Sequence, residues 1–145
     1  MPLHRWWCLP LLLLLAPAAG AEPLKAYAHA KVLVGPEGER VTLVYLEPRD
    51  QNQVLVKFDN VRGEWDGKVV LHELKTSGDK EDYLARSEKH YVSVTQRAGS
   101  FEAYPKGDPK EIRLTYSDKE SQAVKVEEIV AQYEKAPTEP YKKKR

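Results

Sequence analysis

The sequence has very little sulfur, with one cysteine and one methionine in 145 residues. A lone cysteine cannot form a disulfide within its own chain, so packing and backbone hydrogen bonds must hold the fold together. Small exported domains often use disulfides to compensate for a thin core. This chain is long enough to bury one hydrophobic core without them.

Long apolar runs are also missing, except for one near the N-terminus. Arg5 precedes the apolar stretch 9–18, and Ala19-Gly20-Ala21 then supplies the small residues of a cleavage site. Because this order is typical of a secretory signal peptide, we predict that residues 1–21 are a signal peptide cleaved after Ala21. A membrane anchor is the alternative, but the run is about half of the ~20 residues that a spanning helix requires. We therefore expect no transmembrane anchor.

Cleavage would remove the sulfur and two of the three tryptophans, and Trp65 would be the only tryptophan left. Thiol catalysis, redox exchange and thiolate metal sites are thereby excluded from the mature chain. The sequence also lacks an Asn-x-Ser/Thr glycosylation acceptor. Together with the lack of disulfides, this favours a bacterial envelope over an animal secretory route. The expected location is periplasmic or secreted.

Motifs of common catalytic and cofactor-binding sites are absent. The chain has no G-x-S-x-G elbow, no phosphate-cradling glycine loop, no H-E-x-x-H pair and no EF-hand loop. His29, His72 and His90 are far apart in the sequence, and their spacing does not indicate a zinc site. We therefore expect no catalysis, no metal and no cofactor.

Charge is abundant but balanced, with 23 basic and 22 acidic residues. No overall field attracts nucleic acid to such a surface, so no nucleic-acid partner is expected. The chain ends in four basic residues, Lys142, Lys143, Lys144 and Arg145. We predict that the Pro- and Lys-rich segment 137–145 is a disordered tail. A weak contact of these four residues with an anionic surface is the alternative.

Between the predicted signal peptide and the tail, apolar and polar residues alternate over short segments that turn residues separate. This period of two is typical of half-buried β-strands. It predicts strands over 30–34, 41–46, 54–58, 68–74, 90–96, 101–104 and 111–116. About six to eight short antiparallel strands form a small sandwich or barrel. Residues 22–136 are therefore predicted to be a single, mainly β domain.

The end of this domain follows a helical period. Ser117 and Glu120 have the S-x-x-E spacing of a capping box at a helix N-terminus. Apolar residues then recur every three or four positions, at Ala123, Val126, Ile129, Val130 and Tyr133. We predict one C-terminal helix over about 118–135 that packs across an end or a face of the sheet. A further strand over 123–130 is the alternative.

The segment FDNVRGEWDGKVVLHE, residues 58–73, gathers acids, a tryptophan and a histidine around turn residues. Asn60, Gly63 and Gly67 accept the positive φ that chain reversals often need, so the segment is predicted to connect two strands of a hairpin. Burial of a large ring is favourable, and we expect Trp65 to fold back as a plug. The alternative is an exposed Trp65 that anchors a partner, with Glu64 and Asp66 beside it.

The same segment also holds the best candidates for catalysis, Glu64, Asp66, His72 and Glu73. Two of them could supply a general acid and a general base to a glycan. However, neighbouring strand residues such as His72 and Glu73 point to opposite faces. Acids beside an Asp-Gly pair are also first of all turn formers. A weak glycan-acting hydrolase is therefore one alternative function.

Binding remains the expected function of an exported β domain without a reactive centre. Tyr83 and Tyr104 lie in or beside charged segments that contain glycine or proline, which we interpret as loops. Loops on a rigid scaffold often carry recognition residues, and tyrosine rings are suited to interfaces. The candidate binding residues are Glu64, Trp65, Asp66, Tyr83 and Tyr104. The expected partner is another envelope or secreted protein.

In size, predicted export and predicted architecture, the chain resembles the small periplasmic lysozyme inhibitors of the C-type class. Their recognition loops carry a Ser-Gly-x-x-Tyr pattern. Here four residues separate Ser77-Gly78 from Tyr83, so the spacing departs from that pattern. The disulfide of many such proteins is impossible in this chain. The resemblance implies a second alternative function, inhibition of a lysozyme-like hydrolase.

Overall fold

The computed structural model describes residues 24–89 and 91–138. Within these residues, eight antiparallel strands form a closed barrel in which each strand pairs with the next along the chain. The strands are β1 (Lys31–Val34), β2 (Arg40–Tyr45), β3 (Gln53–Asp59), β4 (Val69–Ser77), β5 (Lys80–Ala85), β6 (Val92–Arg97), β7 (Ser100–Ala103) and β8 (Ile112–Tyr116). Pairing of β1 with β8 closes the ring, with Leu33 opposite Tyr116. The predicted mainly β fold is confirmed, and of the two predicted architectures the barrel is the one that forms.

Several predictions concern residues outside this part of the chain. They are the signal peptide over 1–21, the start of a strand at His90, the tail from residue 139 onward, and the anionic-surface contact through Lys142, Lys143, Lys144 and Arg145. Among the residues that are described, no helix has the length and apolar character required to cross a membrane.

Alternating side chains of the strands fill the barrel. Leu43, Val56 and Val70 stand opposite one another on three neighbouring strands and are buried. This is the period of two expected of strands that turn one face toward a core. The inner cluster of buried residues comprises Leu33, Val41, Leu43, Val54, Val56, Phe58, Val61, Trp65, Val70, Tyr83, Ala85, Val94, Phe101, Ala103, Ile112 and Leu114. An eight-stranded barrel is just wide enough to be filled by side chains or to hold one small ligand.

A second apolar cluster lies outside the barrel, where helix α2 (Val126–Lys135) packs on β3 and β4. Ile129 and Tyr133, which belong to the predicted stripe, are buried there in one cluster with Leu55 and Leu71. The helix therefore covers a face of the barrel, and its Gln132 side chain donates to the Gly67 carbonyl in the β3–β4 connection. Because β3 and β4 are buried on both faces at this place, their sequences are nearly continuous apolar runs.

The prediction of one helix over 118–135 is wrong in its continuity. Helix α1 (Asp118–Ala123) ends before α2 begins, and Val124 and Lys125 between them are extended. The break has a packing reason. Helix α1 contacts β1, where the Ser121 hydroxyl accepts a hydrogen bond from the Val32 amide, whereas α2 lies on β3 and β4. The two helices thus cover different parts of the curved barrel surface, and the alternative of a strand over 123–130 is also wrong.

Strand β5 is not predicted by the sequence pattern, which places its residues in a charged loop. Its inner face carries Tyr83 and Ala85, which are buried. Its outer face carries Lys80 and Asp82, which form an ion pair at 3.2 Å. These outer charges conceal the alternation, because they make the whole segment look polar. Residues 78–79 are only the tight turn between β4 and β5.

The ordered domain extends past the predicted boundary at Ala136. Thr138 Oγ1 accepts a hydrogen bond from the Leu71 amide at 3.1 Å, and the Thr138 carbonyl accepts one from the Tyr133 hydroxyl at 3.3 Å. Thr138, the second residue of the predicted tail, is therefore part of the fold. Its two hydrogen bonds hold the end of α2 against β4.

We expect Ile129→Ala to lower the free energy of unfolding by roughly 2–5 kcal/mol, because it removes a buried side chain and leaves a cavity. Denaturant unfolding would measure the change. Val130→Ala is the matched control, since Val130 lies on the same helix but is only partly buried. An Ile129→Ala midpoint equal to that of the control would contradict the docking of α2 on the barrel.

Candidate functional site at the two ends of the barrel

The connections between strands divide the barrel into two different ends. The β1–β2, β3–β4, β5–β6 and β7–β8 connections lie at one end, which we call the closed end because Trp65 fills it. The turns 46–52, 78–79 and 98–99 lie at the other end, together with the segment 24–30. We call this the open end because a cleft enters the barrel there.

At the closed end, Trp65 is folded into the barrel and is only 6% exposed. Its ring lies 5.4 Å from the Phe58 ring and 5.5 Å from the Tyr91 ring, which it meets edge to face. Edge-to-face and tilted contacts at these distances are favourable for aromatic pairs. The predicted plug is confirmed, and Trp65 does not stand out as an anchor.

The backbone of the β3–β4 connection explains how Trp65 is turned inward. The Gly67 amide donates to the Phe58 carbonyl at 2.7 Å, and the Phe58 amide donates to the Lys68 carbonyl at 3.2 Å. Gly67 has a φ of +73°, which an L side chain rarely adopts. Asp66 Oδ1 accepts a hydrogen bond from the Val61 amide at 3.3 Å. The Asp66 carboxylate therefore serves the turn, and the predicted hairpin connection is confirmed.

A basic side chain ties this connection to its neighbours. The Lys106 ammonium is 2.8 Å from Glu64 and also pairs with Glu88. These contacts lower the pKa of Glu64 and raise the pKa of Lys106. The backbones meet as well, since a Cβ added to Gly63 would lie 2.3 Å from the Lys106 carbonyl oxygen. Glu64 is thus neutralised by a structural ion pair between two loops.

The other two candidate binding residues lie elsewhere. Tyr83 is fully buried on the inner face of β5, so its expected place in a surface loop is wrong. Tyr104 follows β7, and its hydroxyl donates to Glu102 Oε2 at 2.8 Å, a bond that raises the pKa of Tyr104 to about 12. The five predicted residues therefore do not form one site. Three shape the closed end, one is in the core and one lies beside an outer carboxylate.

The candidate catalytic residues do not converge either. Glu73 is exposed and lies 3.7 Å from Arg86, whereas its neighbour His72 is buried in the barrel. Glu64 and Asp66 are engaged with Lys106 and the Val61 amide. Over residues 24–89 and 91–138, no three His, Cys, Asp or Glu side chains are grouped so that they could hold a metal ion.

His72 is a polar residue inside an apolar barrel, and its hydrogen bonds define its state. Nδ1 lies 2.8 Å from the Val70 carbonyl and so donates to it, which leaves Nε2 to accept from the Ser93 hydroxyl. Ser93 reaches His72 because it is an extra residue in β6, between the partners of Tyr83 and Leu84. Burial lowers the pKa of His72 from 6.5 to about 4. The imidazole is therefore neutral at physiological pH.

The open end carries a cleft of about 520 Å³. Tyr45, Val54, Leu74 and Glu81 line one side of it, and they come from four consecutive strands of the barrel. Tyr27, His29, Lys31, Leu46, Arg49, Asn52 and Gln53 line the rest. Such a size and such a mixture of apolar walls with a few polar groups are typical of small-molecule sites.

A chain of hydroxyl groups leads from this cleft into the core. The Tyr45 and Tyr83 hydroxyls are 2.8 Å apart, and the Tyr83 hydroxyl donates to Glu81 at 3.5 Å. Because Tyr83 gives its single proton to Glu81, Tyr45 must be the donor to Tyr83. The Tyr45 oxygen then keeps lone pairs available. Burial raises the pKa of Tyr83, so its hydroxyl stays protonated.

The residues of the open end are scattered over the sequence, and none of them is among the five predicted site residues. They come from the segment before β1, from β1 and β2, from the β2–β3 connection and from β3 to β5. No motif marks them. The inward positions Tyr45, Leu74 and Glu81 could have been found only by knowing the strand register, and β5 was not predicted as a strand.

We expect the neutral state of His72 to make the protein sensitive to acid. Its folded pKa of about 4 is below the unfolded value of 6.5, so the unfolded chain binds more protons between these values. Stability from this residue is complete above pH 6.5 and is lost as the pH falls toward 4, by on the order of 3 kcal/mol.

Denaturant unfolding at several pH values between 7 and 4 would measure this loss of unfolding free energy. His72→Gln should remove the histidine part of the slope, whereas His29→Gln, at an exposed position, should keep it. Equal slopes in the two variants would show that His72 is not the group responsible.

Trp65 should fluoresce as a buried indole in protein that lacks residues 1–21. We expect emission at a shorter wavelength than free tryptophan in water and weak quenching by acrylamide, because the ring is enclosed by Phe58 and Tyr91. Tyr91→Ala should increase quenching, and Tyr27→Ala at the open end should leave it unchanged. Emission like that of free tryptophan would contradict the plug.

The chain matches no protein-family model, no curated protein and no solved structure. What the protein does must therefore be inferred from the chemistry of its two barrel ends.

Proposed function

We propose that the protein is exported and acts by binding, with the open end of the barrel as its binding site. The observation that carries this proposal is the contrast between the ends. At one end, Trp65 packs against Tyr91 inside the barrel, and the Lys106 ion pairs connect the loops. The other end leads into a cleft of about 520 Å³ with apolar walls.

The composition of the cleft supports binding rather than chemistry. Glu81 is the single carboxylate among its lining residues, and it already accepts the Tyr83 hydroxyl. General acid–base catalysis on a glycan needs two carboxyl groups placed on either side of a bond. A cleft with tyrosine, valine and leucine walls is instead suited to holding an apolar body.

The two alternative functions receive no support from the geometry. A hydrolase built on residues 64–73 would require side chains that here point to different sides of the barrel wall or serve turns. A lysozyme inhibitor with its recognition tyrosine at Tyr83 would require that ring at the surface, and it is fully buried. A partner protein stays a prediction. It would have to contact the rim, since the cleft itself has the size of a small-ligand site.

Export is compatible with the contacts of the described chain. The amide of Leu24, at the beginning of the described chain, donates to Glu134 at 3.3 Å. The Lys25 carbonyl accepts from the Glu47 amide at 2.8 Å. Cleavage after Ala21 would leave both bonds in place.

Filling the cleft should abolish binding without unfolding the barrel. We expect ligands from a small-molecule library to raise the Tm of the wild-type protein and of Leu84→Trp, but not of Leu74→Trp. Leu74 is half-buried and lines the cleft, whereas Leu84 is half-buried and lies opposite the outward Glu73. Differential scanning fluorimetry would measure the shifts. Ligands that stabilise Leu74→Trp as strongly as the control would place binding away from the open end.

A further inference from the structure

The rim of the open end carries basic groups without acidic partners. Lys31 and Arg49 are exposed, and neither lies within ion-pair distance of a carboxylate in the part of the chain that is described. The lining of the cleft thus contains these two basic groups and a single carboxylate, Glu81.

One of these charges is held beside the apolar wall. The Lys31 ammonium lies 5.4 Å from the centre of the Tyr45 ring, a cation–π distance. The same ring lines the cleft. A ligand whose apolar body packs on Tyr45 would therefore bring its polar end close to Lys31.

The one carboxylate of the cleft lining disfavours an anion beside it. Glu81 accepts the proton of Tyr83, and the Tyr45 oxygen is left as an acceptor. These oxygens repel an anion from their side of the cleft. A negative group is accordingly favoured near Lys31 and Arg49.

We propose that the cleft binds an amphipathic carboxylate, with its apolar body between Tyr45, Val54 and Leu74 and its carboxylate at the rim near Lys31 and Arg49. This proposal rests on the proposed function, because it names the ligand class of the same site. Neither a neutral nor a cationic molecule of equal apolar size gains the attraction of the two basic groups.

Decanoate, decanol and the decyltrimethylammonium ion test the charge preference, because they share a ten-carbon chain and differ in the head group. Isothermal titration calorimetry of the mature protein would measure each Kd. We expect decanoate to bind about tenfold more tightly than decanol, since two exposed charges contribute roughly threefold each. The cation should bind most weakly, and added salt should weaken decanoate binding.

Variants locate the effect. Lys31→Gln and Arg49→Gln should each weaken decanoate binding by roughly threefold, and the double variant should remove the preference over decanol. Lys110→Gln and Arg113→Gln are the matched controls, because both residues are exposed and line a hollow at the closed end. Leu74→Trp should abolish binding of all three decyl compounds.

Two results would overturn the proposal in different ways. If decanol or the cation binds as tightly as decanoate, and Leu74→Trp still abolishes binding, the open end is a binding site but not one for carboxylates. If decanoate binds equally well to wild type and Leu74→Trp, the carboxylate is not held in this cleft and the proposed function loses its site as well.

Discussion

The closure of the barrel depends on a short seam between β1 and β8. Only two residue pairs are in register there, Leu33 with Tyr116 and Val34 with Thr115. The backbone of Val32, the next residue of β1, is hydrogen-bonded to the segment that follows β8. The Ser117 amide donates to the Val32 carbonyl, and the Ser121 hydroxyl accepts from the Val32 amide. A barrel without closure would expose two strand edges. The hydrogen bonds of Ser117 and of Ser121 in α1 therefore extend the contact that closes the barrel. The chain achieves this with backbone and serine hydrogen bonds.

The two ends of the closed ring differ because the loops at one end bind one another. Trp65 fills the space between β3, β4 and the Tyr91 region, and Lys106 connects Glu64 with Glu88 above it. Two of the three turns at the other end, 78–79 and 98–99, have only two residues each. Side chains therefore fill the barrel unevenly. The inner wall ends in tyrosine hydroxyls and a carboxylate instead of a hydrophobic plug, which leaves the space that we assign to a ligand.

Much of the fold could be predicted because local patterns and packing agree in it. The short apolar segments of β2 and β3, the positive φ of Asn60, Gly63 and Gly67, and the burial of Trp65 all follow from residue type and spacing. The predicted cap of α1 is also present, with Ser117 Oγ accepting from the Glu120 amide, although the Glu120 carboxylate pairs with Arg40 instead of closing the box. Prediction from the sequence failed where a contact between residues far apart in the chain determines the structure. Strand β5 is polar on its outer face, and the break at Val124 depends on where each helix docks. The contact between Tyr45 and Tyr83, 38 residues apart, exists only through the register of four strands.

The bond between Leu24 and Glu134 brings the beginning of the described domain to its last helix. The entrance and exit of the domain therefore lie on the same side of the barrel, over the outer faces of β2 to β4 where the second apolar cluster is found. Domains with neighbouring ends tolerate circular permutation well. Here a linker along the outer faces of β2 to β4 could join the old ends, and a new start could be opened at the exposed turn 78–79. Because each strand pairs with the next along the chain, such a permuted chain would keep every strand pair.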